Sequence, residues 1–101
     1  MIRHICMFKL KDEFNGKSKA ENITKAIELS QQIREIPSVI KFEVVTNCAD
    51  APESNFDLSL IFDFEDIDSL NEYQIHPKHL EFANFIHSVR ERRACIDYEL
   101  K

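Results

Sequence analysis

Residues 56–65 read FDLSLIFDFE. Phe56, Leu58, Leu60, Phe62 and Phe64 fall on one face; Asp57, Ser59, Ile61, Asp63 and Glu65 fall on the other. A period of two defines a strand with one side in the core. Upstream, VIKFEVVTN (39–47) is rich in β-branched and aromatic residues and predicts a second strand, joined to the first by the polar loop CADAPESN with Pro52. Downstream, Asp66 suits the N-cap of a short helix over about Ile67 to Tyr73, and Pro77 suits the first position of another. That helix carries Leu80, Ala83, Ile86 and Val89, and RRACIDYEL (92–100) closes the chain as a strand.

The amino-terminal half completes the pattern. IRHICMFKLK (2–11) alternates, with Ile2, His4, Cys6, Phe8 and Leu10 facing one way and Arg3, Ile5, Met7 and Lys9 the other. DEFNGKS (12–18) is expected as a loop holding the only glycine, Gly16. Ser18 and Glu21 form a capping box, so a helix starts there, with Ile23, Ala26, Ile27, Ser30 and Ile33 at helical spacing. Pro37 stops it. The order β-α-β-β-α-β over residues 1–101 predicts one domain, a ferredoxin-like α+β sandwich with four antiparallel strands and helices on one face. The uncovered face would still carry Ile5, Met7 and Ile61, and apolar surface left in water is unfavourable by about 25 cal/mol per Å². Two sheets facing each other across a two-fold axis would bury both copies, so a homodimer is expected.

Charge excludes some functions. Thirteen Lys and Arg against 18 Asp and Glu leave a net charge of −5. Nucleic acid and anionic membranes need a basic surface, and neither is an expected partner. IRHICMFKL is too short and too charged for a signal peptide or membrane span. Cys6, Cys48 and Cys95 are odd in number and widely spaced, with no CxxC pair. They are expected as reduced thiols in the cytoplasm, without an activating neighbour. NGKS lacks the upstream glycine of a phosphate-binding loop, and the basic run SVRERR is expected as a solvated helix end.

YQIHPKH (73–79) holds two of the four histidines. His76, before a proline, is expected as a helix N-cap. His79 would lie in the first turn, where the helix dipole disfavours a charged ring, and a neutral imidazole can accept a proton. Tyr73 could donate to a developing enolate. His4, Phe8, Leu58 and Leu60 lie on the faces assigned to the helix side and are candidate ligand contacts if the break between helices lies over them. Each has a plain structural alternative: a satisfied strand histidine, a packed phenol, a backbone-bonded imidazole. His76 and His79 straddle a helix start and do not share one turn, so no metal site is expected. Phe82 and Phe85 are expected in the core.

The opening IRHICMFKLKDE, the IP after the first helix, FDLSLIFDFED, YQIHPKH and the closing IDYE together resemble the stress-responsive A/B barrel (Dabb) family, in order and over nearly the whole chain. The resemblance implies a ferredoxin-like protomer and a homodimeric α+β barrel, but no single activity. The family includes plant polyketide cyclases, which work without metal or organic cofactor. By position their acid/base Tyr and His correspond to Tyr73 and His79, and their cavity-lining strand His to His4. A further cyclase His is replaced here by Leu58, which implies a more apolar pocket. Three functions follow as expectations: binding of a small apolar or carbonyl-containing ligand, cofactor-independent acid/base catalysis by Tyr73 and His79, or a structural, stress-protective dimer without ligand.

Overall fold

The computed structural model describes residues 1–101. In chain order the elements are β1 (Ile2–Leu10), β2 (Glu13–Phe14), β3 (Lys17–Ser18), α1 (Lys19–Ser30), a 3-10 turn (Gln31–Glu35), β4 (Lys41–Thr46), β5 (Leu58–Phe64), α2 (Ile67–Ile75), α3 (Pro77–Val89) and β6 (Arg90–Glu99). The main sheet runs β4-β5-β1-β6, with every neighbouring pair antiparallel. This is the ferredoxin-like α+β arrangement read from the sequence.

Local chemistry explains the boundaries. The expected loop after β1 folds instead into a small hairpin, because Asn15 and Gly16 both take positive φ, 55° and 75°. Two such residues make the tight turn that matches strand twist. The Ser18–Glu21 capping box forms at the start of α1, and Asp66 caps α2 by accepting from the Ser69 amide. At the other end of the chain, Arg90 is already extended and opens β6, so the basic run is a strand start and not a helix end.

The core lies between the helices and the inner face of the sheet. Phe62 is fully buried and lies 4.8 Å from Phe42, 5.7 Å from Phe64 and 4.7 Å from Tyr73, ring centre to ring centre. In α3 the inward stripe is Phe82, Ile86 and Val89, at i, i+4 and i+7. Leu80, expected inward, is 45% exposed because it sits two residues, some half turn, from that stripe.

On the outer face Asp63 is buried and bonded by both Nε and Nη2 of Arg3, at 2.8 and 3.1 Å. The Arg3 bonds hold its carboxyl below the usual carboxylate range. Ile61, Ile5 and Ile96 stand side by side across β5, β1 and β6. Ile96 is 58% exposed, and Val45 and Tyr98 are exposed on the same side.

Phe62→Ala should destabilise the protein by about 3–5 kcal/mol in urea unfolding, the usual loss for a buried phenylalanine. A loss under about 1 kcal/mol would show that the aromatic cluster does not anchor the sheet.

Candidate active site

Pro77 has no amide hydrogen to donate and pushes His76 out of helical geometry, to φ −70° and ψ 137°. The two helices therefore meet at a break. His76 caps α3, its Nδ1 accepting from the Lys78 amide at 3.1 Å. Tyr73 lies in the last turns of α2 and His79 in the first turn of α3, so both side chains reach the space under the break. Their rings are 4.4 Å apart.

That space is a cavity of about 470 Å³ between the helices and the sheet. His4, Phe8 and Leu60 line its floor, Tyr73 and His79 its roof, and Arg93 its β6 side. Five of the six residues singled out in the sequence thus come together. Leu58 does not: it is buried in the core and does not line the cavity. Tyr73 packs over Phe62 and Phe64, toward the opposite end of β5 from Leu58.

The geometry sets protonation. His79 Nδ1 donates to the Gln74 carbonyl at 2.9 Å, which leaves Nε2 as the lone-pair nitrogen. Burial lowers the His79 pKa; the Gln74 bond opposes this, and the positive fields of His4 and Arg93 add to it. Burial pushes the Tyr73 phenol well above its ordinary value, with Arg93 pulling weakly the other way. Near neutral pH the site holds a protonated phenol beside a neutral imidazole. His4 is buried, with its ring 6.3 Å from Tyr73, Nδ1 against the Asp97 carboxylate and Nε2 3.3 Å from Cys6 Sγ.

The sequence reading missed four participants: Cys6 as a cavity residue, Arg90 and Arg93 at the wall, and Asp97 behind His4. Extending the period of two through the last strand puts Arg93, Cys95 and Asp97 on one face. Only the β1–β6 register, with Phe8 opposite Arg93, Cys6 opposite Cys95 and His4 opposite Asp97, brings that face to the cavity.

The same register corrects the reading of the thiols. Cys6 and Cys95 form a disulfide, although 89 residues separate them. They are directly opposed on adjacent strands with Cα atoms 4.3 Å apart, close to the spacing of a non-hydrogen-bonded antiparallel pair. Cys6 is not without a charged neighbour, since Arg93 Nη2 lies 3.4 Å from its Sγ. Cys48 is free and exposed. His76 and His79 make separate backbone bonds through their Nδ1 atoms.

A ferredoxin-like sheet with a cavity under a split helix defines the class of protein. The chain belongs to the stress responsive A/B barrel domain family, whose sequence pattern matches residues 2–100. It is 26% identical over 97 residues to olivetolic acid cyclase of Cannabis sativa, covering 96% of this chain and 94% of that one. A dimeric ferredoxin-like protein of unknown function from Bacteroides fragilis superposes with a TM-score of 0.80 at 26% identity, covering 98% and 95% of the two chains. Hydroxynitrile lyase from Passiflora edulis shares the fold, with a TM-score of 0.79 at 20% identity over 99% and 93%. No helix is long and apolar enough to cross a membrane.

Followed by nitrogen-15 NMR, the neutral His79 ring should carry its proton on Nδ1 and titrate below the ordinary value of about 6.5. Titration at or above that value would contradict the burial of the ring.

Proposed function

We propose that this protein is an acid/base enzyme acting on a small carbonyl compound with an apolar body, its proton transfers carried by Tyr73 and His79. The observation that supports this most is the pair itself: a tautomer-fixed imidazole and a protonated phenol in ring contact on one cavity wall. His79 Nε2 takes a proton from the carbon beside the carbonyl, and the C–H electron pair passes into an enolate. Tyr73 donates a hydrogen bond to the enolate oxygen, and the Gln74 carbonyl holds the imidazolium through Nδ1–H. In a chain with a second carbonyl the enolate carbon can then close a ring, and the proton on Nε2 goes to the new alkoxide. Phe8 and Leu60 supply apolar contact and His4 a polar one. The relationship to olivetolic acid cyclase supports ring closure as the outcome.

Incubation in deuterated water with short β-keto acids and linear poly-β-keto thioesters tests this. Wild type should exchange the protons between the carbonyls, and His79→Ala should lose about 10²- to 10⁴-fold. Tyr73→Phe should lose rate with little change in ligand-induced thermal shift. The rate should persist below the ordinary histidine range and fall only as pH drops through the lowered His79 value. Equal exchange by wild type and His79→Ala, with thermal stabilisation retained, would leave ligand binding as the function.

We also infer a homodimer with the outer sheet faces in contact. The Ile61–Ile5–Ile96 row supports it, as does the dimeric state of the Bacteroides fragilis relative. Ile61→Asp should yield monomers or insoluble protein, because the buried carboxylate would have no partner. An unchanged dimer mass on size exclusion would place the interface elsewhere.

A further inference from the structure

We propose that Cys6 and Cys95 are a redox-active pair exchanging electrons with small water-soluble thiols and disulfides at the cavity wall. The proposal does not rest on the acid/base reading. The two sulfurs differ in a way that gives exchange a direction. Cys6 is 5% exposed and lines the cavity, whereas Cys95 lies on the exposed inner face of β6, which no helix covers. An incoming thiolate therefore reaches Cys95 Sγ, and Cys6 is the leaving group.

Cys6 is built to leave. Arg93 Nη2 is 3.4 Å from its sulfur and His4 Nε2 is 3.3 Å away. A guanidinium beside a sulfur stabilises the thiolate, and a better-stabilised thiolate leaves faster. His4 Nδ1 is engaged by Asp97, so Nε2 is the ring position able to take a proton beside that sulfur. In the first step the thiol ionises and its proton goes to His4 Nε2. Its sulfur bonds to Cys95 Sγ, the Cys6–Cys95 bond breaks, and the electron pair of that bond stays on Cys6. A second thiolate attacks the external sulfur of the mixed disulfide, forming the small disulfide and releasing the Cys95 thiolate. Two external thiols are oxidised to one disulfide and the protein pair is reduced by two electrons. The reverse exchange, with a small disulfide as oxidant, restores the bond.

The test uses the full chain carrying Cys48→Ser, equilibrated in buffers of reduced and oxidised glutathione, quenched with acid and read by alkylation and mass spectrometry. The pair should pass from disulfide to dithiol in one two-electron step within the series. Cys6→Ser should collect glutathione on Cys95. Arg93→Ala should slow reduction by glutathione by about 3- to 10-fold, with Arg93→Lys recovering most of the rate and circular dichroism unchanged. A pair that stays wholly oxidised or wholly reduced across the series would overturn the proposal, as would an unchanged rate in Arg93→Ala. His4, Cys6 and Cys95 also place their donor atoms within 4.8 Å of one another. Stoichiometric retention of added zinc by the reduced protein, in place of disulfide exchange, would overturn it too and assign the cluster to a metal.

Discussion

A proline at position 77 cannot join a helical ladder, and most of the site depends on that constraint. Without it, nothing in the covalent geometry of residue 77 would keep the helix from running on. Pro77 instead ends α2 at Ile75 and starts α3 afresh, with His76 serving both segments as cap. The break turns the carbonyl of Gln74 toward the first turn of α3, where His79 Nδ1 finds it. Tyr73 approaches from the other side and is fixed by tilted ring contacts with Phe62 and Phe64. Covalent geometry at one residue thus creates the gap, sets the imidazole tautomer and juxtaposes the phenol with the imidazole.

Coverage of the sheet is uneven, and this gives the cavity its chemistry. Helices bury the inner faces of β5 and β1, where Leu58, Leu60, Phe62, Phe64 and Phe8 are almost inaccessible. They do not extend over β6, whose inner face carries Arg93, Cys95, Asp97 and Glu99. The cavity is therefore apolar below, closed by Tyr73 and His79 above, and charged at one side. A ligand with an apolar body and an acidic or carbonyl end matches that distribution.

The periods of two and the caps made the strands and helices readable, because each depends on neighbours in the chain. Asp66, His76 and Ser18 cap as their side chains predict. Tyr73, His79 and His4 were identifiable by pattern and by resemblance to a family. What could not be read was register. Asp97 behind His4, Arg93 beside Cys6 and the Cys6–Cys95 bond all follow from pairing the first strand with the last, a relation between residues about 90 apart. Leu58 shows the converse limit: its face was right, but its position along β5 sets it outside the cavity, and the single-face pattern cannot express that.

Burial acts on Tyr73 and His79 in opposite directions and for one reason. Removing water disfavours charge, so the phenol rises, the imidazole falls, and both stay neutral. Proton transfer to His79 would then create a cation in a poorly solvated place, and Arg93 makes that cation less favourable still. The same arginine favours negative charge, as its pull on the Tyr73 phenol shows. The transfer becomes accessible only when an anion forms within the same space, which is what the enolate of the proposed reaction would supply. The field of Arg93 thus opposes protonation of His79 in the empty cavity and would, in the proposed reaction, favour the state in which imidazolium and enolate carry opposite charges. A thiolate at Cys6 would draw on that same arginine, so reduction of the disulfide would weaken the field that Tyr73 and His79 experience.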